Sequence, residues 1–584
     1  MAKGDVVRNQ RRDGLFHSLL SIVALIGSLS FGSALAQTAT PQASAGAAGQ
    51  LAEIPMSPGA DQPGADADAT LTLNLGNEID SGDPQVLAFL NEIEISSKVF
   101  VPLLALNEEN QVASAGAESM TVSDDGMTYT FTIRDGMTYT DGVPVTAANY
   151  AYAITRACSP IVNGNYSNIL FDIVGCEEWR SADVEAQQAE LPGLEAAVNE
   201  SIKALDDRTL QIQLERSAGY FPYVMATWVT YPSRQDLVEA GGDQWWGDPQ
   251  YYVGNGPFKL VSWTPNQEWV FERNDDYFRG QPGVARIVYR EISSSETELL
   301  AYQQGEFDIG APAATQLPQI EQDATLSQEL HRQVGANTFF MSFNNAAPPF
   351  DNVLVRQAFA AAMNRDQYIQ QINNGVGVAA GTFLYPGIPG YQDEVQQTFD
   401  PERAKQLLAD AGYPNGDGFP TLQLHYDSES AIAQQRATFW AQNLNQELNI
   451  DIQPTPIDLA QLQSMRTNND PSLLISLENW FEDYPHPQDW LSLVFGPGST
   501  RAPLGWEDQQ FYDLVQQADA LPLEEAIPLY QEADARLADQ APVAFYLHGE
   551  NLVLVKPNVQ GYVTYPTSVV DTVYQMEKIY KTAS

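Results

Sequence analysis

The sequence predicts a protein of mixed α/β or α+β class with two to four domains, and three observations carry this prediction. The chain has 584 residues, which is several times the length of a typical domain. Its hydrophobic content of 44% is that of a globular protein. Segments with the spacing of amphipathic helices are intermixed with segments typical of strands, and long loops separate them. This mixture argues against a helix bundle or a β-sandwich.

The clearest strand pattern is the stretch 124–142, DDGMTYTFTIRDGMTYTDG. Apolar and polar residues alternate along its first half, as in a strand with one buried face. Asp135 and Gly136 then form a strong turn signal, and residues 137–140 follow as a second alternating segment. The stretch therefore predicts a β-hairpin.

Helices and further strands are predicted in the second half of the chain. DPERAKQLLADAGYP has an N-cap at Asp400 and a glycine past its end at Gly412, so it is typical of a complete helix. An apolar stripe in 352–372 predicts another amphipathic helix. The stretches 421–427 and 543–555 are predicted to be strands.

The charge balance is strongly acidic. There are 29 Lys and Arg against 75 Asp and Glu, which gives a formal net charge of −46. Such a surface repels nucleic acid and anionic lipid, so we expect no polyanionic partner. The general interpretation is a solvated acidic surface, and attraction of cationic ligands is the alternative.

The N-terminus has the features of an export signal. Three arginines precede the apolar run 19–36, which ends in Ala-Leu-Ala, so residues 1–36 are predicted to be a signal peptide. An uncleaved run could instead tether the protein to the membrane, and we expect a periplasmic or cell-surface location. Residues 37–69 are rich in Ala, Gly, Pro, Gln and Asp and are predicted to form a disordered linker.

The chain has two cysteines, Cys158 and Cys176. In an exported protein an even number favours one disulfide, and two buried free thiols are the alternative. Two cysteines far from the five histidines do not make a zinc site, so we expect no metal.

Catalytic motifs are missing from the sequence. It contains no Gly-x-Ser-x-Gly, His-Glu-x-x-His or Cys-x-x-Cys motif, and no phosphate-binding loop. We therefore expect no enzymatic activity and no cofactor. A pair of catalytic carboxylates carries no local signature, so an extracellular hydrolase remains an alternative.

Six segments, taken in order, resemble the extracellular solute-binding proteins of ABC importers, in the oligopeptide- and dipeptide-binding family (family 5). They include FTIRDGMTYTDGVPVTAANYAYAITR, GNGPFKLVSW with ERNDDYF, VRQAFAAAMNRD and ENWFEDYPHP. The full set lies at 131–156, 202–214, 254–263 with 272–278, 355–366, 400–414 and 478–487. The stretch 541–562 also resembles the family's return strand.

The resemblance implies a two-lobed periplasmic-binding-protein-like fold of class II with an additional subdomain. The first lobe would comprise 70–338, with an inserted subdomain at about 104–229. The second lobe would comprise 339–547, and 548–584 would return to the first lobe. Two crossing strands would form a hinge that closes over the ligand.

The resemblance also implies how a ligand is held. In peptide-binding members, the aspartate of a Trp-x-x-Asp-Tyr segment in the second lobe binds the ligand's α-amino group. In this chain that position is Asp483. Trp480, Phe481 and Tyr484 would form the walls of the pocket, and Glu482 would face the surface or support the site. A turn-capping role for Asp483 is the alternative.

Weaker expectations concern three positions in the first lobe. By the same resemblance, Glu78 and Ile79 would lie beside the ligand's amino end. Asn255 would lie at the edge of the cleft, or would serve as a turn residue.

The ligand class follows from the family rather than from the residues. Just before Trp480, where some relatives have a basic residue, this chain has Leu477 and Glu478. Only Arg466 therefore offers a positive charge to a ligand carboxylate. We expect a peptide ligand, delivered by a monomer to permease subunits that act with a cytoplasmic ATPase. Oligosaccharides, metal chelates and opines are alternatives, and four tryptophans could stack on sugars or fill a core: Trp228, Trp245, Trp246 and Trp269.

Overall fold

Two lobes make up the described part of the chain. The computed structural model describes residues 51–563 and 576–582, apart from positions 55, 58, 60, 61, 395, 396, 469 and 500. The predicted signal peptide, 1–36, lies outside the described residues. Helices and strands are intermixed throughout, which confirms the predicted α/β class.

The first lobe and the connection out of it contain a series of short strands and helices. The strands are β1 (Thr70–Asn74), β2 (Leu104–Leu106), β3 (Val112–Ser114), β4 (Ala117–Val122), β5 (Thr128–Ile133), β6 (Ile202–Ala204), β7 (Thr209–Gln213), β8 (Phe258–Thr264), β9 (Glu268–Arg273), β10 (Arg286–Arg290) and β11 (Ile309–Gly310). The α-helices are α1 (Leu90–Val99), α2 (Ala147–Ala157), α3 (Cys176–Arg180), α4 (Leu191–Ser201), α5 (Phe221–Val224), α6 (Gln235–Gly241), α7 (Ser295–Gln303), α8 (Leu317–Gln322) and α9 (Leu326–Glu329).

The second lobe and the C-terminal segment have longer elements. The strands are β12 (Leu330–Phe343), β13 (Leu422–Asp427), β14 (Ile452–Ile457), β15 (Ile475–Phe481), β16 (Val543–Val555), β17 (Val559–Gln560) and β18 (Tyr580–Lys581). The α-helices are α10 (Val353–Ala362), α11 (Arg365–Gln371), α12 (Pro401–Asp410), α13 (Ala431–Leu448), α14 (Leu459–Thr467), α15 (Pro487–Phe495), α16 (Gln509–Asp519) and α17 (Leu523–Gln540).

Each lobe has its own sheets and cores. The first lobe holds two four-stranded sheets, with strand orders β1-β10-β9-β8 and β4-β5-β7-β6. Buried residues between Ala69 and Ile309 form its main hydrophobic core. The second lobe is built on a six-stranded sheet with the order β11-β16-β12-β15-β13-β14. Two hydrophobic cores, formed by residues between Ala336 and Leu547, pack against this sheet.

The central strands of the large sheet are buried on both faces. In β12, Phe340 packs in one core of the second lobe and Met341 in the other. Phe545 and Tyr546 of β16 divide between the two cores in the same way. Because successive side chains of a strand point to opposite faces, a strand covered on both sides needs a continuous apolar run. This explains why the start of β16, VAFYL, does not alternate with polar residues.

Strands β12 and β16 pair antiparallel along most of their length, but their register shifts between Val334 and Thr338 and again at Phe339. At the first shift the Asn337 carboxamide oxygen accepts a hydrogen bond from the Gly549 N–H at 3.0 Å. A Cβ atom at position 549 would lie 2.1 Å from that oxygen, so the approach requires glycine. A side chain thus replaces backbone pairing at this step of the ladder.

The predicted hairpin at 124–142 is wrong in its second strand. Strand β5 pairs with β4 on one edge and with β7 on the other. Residues 137–140 contribute an isolated bridge from Thr138 to Pro144. The turn is present, with Gly136 at a φ of +72°. Since both edges of β5 are already paired, a returning strand has no edge to join.

The helix predictions are confirmed in part. The Asp400 carboxylate caps α12 by accepting a hydrogen bond from the Arg403 N–H at 3.0 Å, as predicted. The single helix predicted over 352–372 is instead two helices, α10 and α11. The Asn364 side chain accepts a hydrogen bond from the Gln367 N–H at 3.1 Å and starts α11. An asparagine that caps a new helix competes with continuation of the previous one.

The predicted linker, 37–69, is described only from residue 51, and that part packs on the first lobe. Ala52 forms a parallel bridge with Ala113, and Ile54 is buried in a small apolar cluster. The prediction of a disordered linker is therefore wrong for this part, because apolar side chains at its end find a partner surface. Among the described residues, no helix is both long and apolar enough to cross a membrane.

Candidate functional site

The segment 482–486 connects β15 to α15 where the two lobes meet. Strand β15 ends at Phe481. The His486 imidazole then caps α15 by accepting a hydrogen bond from the Gln488 N–H at 3.1 Å. The connection is therefore fixed at both ends by regular structure, which holds its acidic side chains in defined positions.

Asp483 lies in this connection and is only 6% exposed. Its N–H donates a hydrogen bond to Asp489 Oδ2 at 3.1 Å. The Tyr166 hydroxyl, from the first lobe, lies close enough to this carboxyl group to affect its pKa. Burial raises the pKa of Asp483 to about 7, and the Arg501 charge and the Tyr166 hydroxyl oppose this rise. Asp483 is thus a buried acid at the lobe contact, with a lowered tendency to ionise.

Two more buried acids flank Asp483. Burial raises the pKa of Glu482 to about 8, and the Tyr385 hydroxyl donates a hydrogen bond to this carboxyl group at 2.8 Å. Burial and the charges of Asp483 and Glu482 raise the pKa of Asp489 well above its usual range. Three carboxyl groups this close disfavour full ionisation, so the group retains protons near neutral pH.

The expectation that Glu482 faces the surface is wrong, because this residue is 2% exposed. Its N–H donates to the Ala336 carbonyl at 3.0 Å, one residue beyond the end of β15. The argument that Glu482 and Asp483 point to opposite faces fails because the chain leaves the regular strand after Phe481, and both of these consecutive side chains are buried.

The structure brings two of the three predicted aromatic residues to the site. Trp480 is buried, and its indole N–H donates to Asp489 Oδ2 at 3.3 Å. Tyr484 is buried against the first-lobe core. Phe481 is 43% exposed and makes an edge contact with Phe339 at 6.2 Å between ring centroids. As Trp480 and Phe481 are neighbours on a strand, they point to opposite faces, and only one of them can face the acids.

Two cavities adjoin this segment, and Arg501 lines both. The cleft cavity, of about 570 Å³, lies between Asp172 and Tyr220 of the first lobe and Tyr484 and Asp519 of the second. The strand cavity, of about 520 Å³, lies within the second lobe and includes Trp480 and Glu478 in its wall. Tyr484, the residue after Asp483, lines the cleft cavity, and Asp483 itself lies near Tyr166 of the first lobe.

The lobes also meet through a polar cluster beside the cleft cavity. In the first lobe, Asp172 pairs with Arg216 at 2.6 Å and accepts a hydrogen bond from the Tyr220 hydroxyl. The Gly219 N–H donates to the Asp519 carbonyl of the second lobe at 2.7 Å. Burial raises the pKa of Asp519 to about 7. This cluster holds the lobes against each other on one side of the acidic segment.

The two cysteines, Cys158 and Cys176, form a disulfide that closes an 18-residue separation. The closed loop carries Tyr166, which contacts Asp483, and Asp172 of the polar cluster. The Tyr166 ring packs edge-on against Trp228, with centroids 5.0 Å apart. The disulfide therefore constrains the part of the first lobe that reaches the site.

Replacing both Cys158 and Cys176 by alanine should lower the free energy of unfolding by about 3 kcal/mol, because the open loop gains chain entropy in the unfolded state. Urea titration followed by circular dichroism measures this loss. We also expect the double variant to bind ligand more weakly, since Tyr166 and Asp172 lose their constraint. Unchanged stability and unchanged affinity would contradict this account of the loop.

Arg466 lines the strand cavity but is engaged by the protein. Its guanidinium pairs with Glu478 at 2.7 Å and donates to the Leu477 carbonyl at 2.9 Å. Burial raises the pKa of Glu478, and the Arg466 charge opposes the rise. The pair neutralises a buried acid, so Arg466 has less charge to offer a ligand than the sequence suggests.

The three positions predicted in the first lobe, Glu78, Ile79 and Asn255, all make contacts within that lobe. Glu78 accepts a hydrogen bond from the Asn266 N–H at 2.7 Å, and Ile79 is buried in the first-lobe core. Asn255 has no exposed surface, and its side chain accepts from the Val101 N–H at 2.9 Å. The prediction of Asn255 as a cleft residue is wrong, because its carboxamide is used to hold two first-lobe segments together.

The four tryptophans considered for sugar stacking are all buried in the first-lobe core: Trp228, Trp245, Trp246 and Trp269. Their faces are covered by protein, so stacking on a sugar has no support at these positions. Within the described ranges, no three His, Cys, Asp or Glu side chains are placed to hold a metal ion.

Tyr166 and Arg501 are the site residues that the sequence analysis missed. Tyr166 lies 317 positions before Asp483 in the chain, within the disulfide loop. Arg501 follows a Gly-Pro-Gly-Ser turn and belongs to no pattern with its neighbours. The packing of the two lobes brings Tyr166 to Asp483, and the fold of the second lobe brings Arg501 there. No local signal in the sequence reports either approach.

Comparison with known proteins agrees with this architecture. Residues 111–501 match the family described as bacterial extracellular solute-binding proteins, family 5 middle. The chain is 27% identical to the oligopeptide-binding protein OppA of Bacillus subtilis (strain 168), over 81% of this chain and 86% of the relative. It is 28% identical to the periplasmic oligopeptide-binding protein OppA of Salmonella typhimurium, over 84% of this chain and 89% of the relative. The unliganded open form of the periplasmic murein tripeptide-binding protein MppA shares the fold, with a TM-score of 0.74, 22% identity, and coverage of 88% of this chain and 98% of that chain.

Proposed function

Because this chain belongs to the bacterial extracellular solute-binding proteins of family 5, we propose that it captures peptides outside the cytoplasmic membrane for an ABC importer. The proposal is supported by two similar proteins that are named oligopeptide-binding. The family is one of binding proteins, and the proposed role needs no bond to be made or broken. We propose that Asp483 binds the α-ammonium group of the peptide between the lobes.

The observation that carries this proposal is the burial of Asp483 at the lobe contact, where its 6% exposure removes it from bulk solvent. A carboxylate in such a place costs several kcal/mol unless a cation or several donors compensate it. An ammonium group supplies both a positive charge and three N–H donors. Trp480 and Tyr484 exclude water from the acid and so strengthen the attraction between it and the ligand.

Two neighbours would hold Asp483 ready for the ligand. The Asp489 carboxyl accepts the Asp483 N–H, which fixes the backbone of the connection. The Tyr166 hydroxyl approaches from the other lobe. Its oxygen can therefore accept a hydrogen bond from the ammonium group once the lobes close over the peptide. From the family resemblance we propose that Glu78 and Ile79 lie beside the amino end of the ligand, whereas Arg466, paired with Glu478, has less charge to offer a ligand carboxylate.

We propose lobe boundaries of 70–338 and 339–547, with 548–584 returning to the first lobe. These boundaries fall where β12 and β16 change register, between the separate cores of the two lobes. The closed form would be recognised by permease subunits in the membrane, which act with a cytoplasmic ATPase. We further propose export by the leader 1–36 and function as a monomer.

The proposal is tested by calorimetry with tri-, tetra- and pentaalanine, each with a free and with an N-acetylated amino terminus. We expect the free peptides to bind at least about 30-fold more tightly than the acetylated ones, because only they carry the ammonium charge. Equal affinity for both forms would remove Asp483 from this role. Mass spectrometry of the recovered peptides should show them intact, whereas shortened products would indicate a hydrolase.

A further inference from the structure

Three arginines line the two cavities beside Asp483, and two of them are already paired. Arg466 forms its ion pair with Glu478 in the strand cavity. Arg216 forms its ion pair with Asp172 in the cleft cavity. These two charges are satisfied by the protein and have little left for a ligand.

Arg501 differs from both. It is exposed and lines both cavities. Its guanidinium lies over the Trp480 ring, 4.9 Å from the centroid. Among the residues that the structure describes, no carboxylate pairs with Arg501. Stacking on an indole fixes the plane of a guanidinium without using its hydrogen-bond donors, so those donors stay available.

Three acids in the walls of the two cavities have other partners. In the cleft cavity, Asp172 is paired with Arg216, and Asp519 accepts hydrogen bonds from the hydroxyls of Ser492 and Tyr530 at 2.6 and 2.7 Å. In the strand cavity, the half-buried Asp470 accepts from Ser472 at 2.6 Å.

Arg501 is also close to the proposed amine site. Its guanidinium stacks on the Trp480 ring, the Trp480 indole N–H donates to Asp489, and Asp489 also accepts the Asp483 N–H. One or two extended peptide residues span roughly 3–7 Å, so the first two side chains of a ligand stay close to its amine. A ligand bound through its amine at Asp483 would therefore place its first or second residue near Arg501.

We propose that Arg501 binds a carboxylate group of the ligand close to the ligand's amino end, and that the protein therefore prefers peptides with an acidic group there. The inference rests on the proposed function and deepens it. A planar guanidinium donates two parallel hydrogen bonds to a carboxylate, which gives a stronger and more selective contact than a neutral acceptor does. The acidic group is the side chain of the first or second residue, or the terminal carboxylate of a dipeptide.

Calorimetry with three matched pairs distinguishes these sources. The first pair is Glu-Ala-Ala-Ala and Gln-Ala-Ala-Ala, the second is Ala-Glu-Ala-Ala and Ala-Gln-Ala-Ala, and the third is dialanine with a free and with an amidated C-terminus. We expect the wild type to prefer the acidic member of at least one pair by about tenfold. In Arg501→Gln the same ratio should fall to about one, because both members of a pair then lack the guanidinium while the acid-to-amide difference between them is unchanged. Arg403→Gln, an exposed arginine on α12, is the control and should keep the full preference.

Two results would overturn the inference: an absence of preference in all three pairs, or a preference that survives in Arg501→Gln. In both cases the peptides still bind, so the proposed function stands. If none of the six peptides binds the wild type, peptide capture itself is contradicted, and the role of Arg501 falls with it. A circular dichroism spectrum and a urea midpoint equal to those of the wild type show that the Arg501→Gln protein is folded.

Discussion

Replacing Asp483 by asparagine weakens the binding of a peptide with a free amino terminus by about 2–5 kcal/mol and leaves the fold unchanged. The substitution keeps the size of the side chain and an oxygen that can accept from the Tyr166 hydroxyl. It removes the negative charge that an ammonium group requires when it is shielded from water. Calorimetry with the same peptide and both proteins measures the difference directly.

The matched control is Asp410→Asn, an exposed acid at the end of α12 in the same lobe. It changes the net charge equally, so any general loss of attraction for a cation appears in both variants. We expect Asp410→Asn to bind as the wild type does. We also expect the N-acetylated peptide to bind Asp483→Asn and wild type alike. A loss below about twofold in Asp483→Asn would show that the amine lies elsewhere.

The ligand-free protein should be more stable at pH 5 than at pH 8. Burial raises the pKa of four carboxyl groups to about 7 or about 8: Glu482, Asp483, Asp519 and Asp534. Between about pH 4 and pH 8 the folded protein then holds protons that the unfolded chain releases. The free energy of unfolding therefore falls as the pH rises through this window. We expect a loss of at least about 3 kcal/mol between pH 5 and pH 8, the size that one such group gives over this range.

Urea unfolding at pH 5, 6.5 and 8 measures this slope. Self-repulsion of a chain with a net charge of −46 acts in the same direction, so a variant must separate the two causes. Glu482→Gln removes one buried titrating group and should flatten the slope, whereas Glu402→Gln, an exposed acid of α12, should not. Equal slopes in both variants would assign the effect to the surface charge alone.

Much of the fold could be predicted because local patterns and the family resemblance agreed. A few neighbouring residues are enough to predict the helix cap at Asp400 and the buried strand β16. Membership of family 5 confirms the resemblance carried by the six segments. These segments also identified the connection around Asp483, where the structure finds the buried acids.

The errors share one physical cause, which is competition from partners distant in the chain. The turn at Asp135 and Gly136 exists, but β7 takes the edge of β5 that a local hairpin would use. Asn255 was expected at the edge of the cleft, and its carboxamide instead binds Val101 inside the first lobe. Tertiary contacts decide these cases, and a local pattern does not contain them.

The site also combines residues that are close in sequence with residues that only the fold brings together. Asp483 and Trp480 lie three positions apart and could be found together. Tyr166 reaches them from a disulfide loop in the other lobe, so its role depends on how the lobes pack, whereas Arg501 reaches them from a loop after α15 in the same lobe. The surface alternative for Glu482 failed because Glu482 and Asp483 are consecutive and both buried, beyond the end of β15.

The Asn337 and Gly549 contact has a consequence for how the protein exchanges its cargo. It sits at the one stretch where three consecutive residues of β12 have no register partner in β16. We infer that rotation of one lobe against the other is taken up there, so the backbone bonds on either side stay intact. Opening would then follow a single axis and expose little core, and the cost of releasing a peptide would be set by the ligand's own contacts rather than by partial unfolding of the carrier.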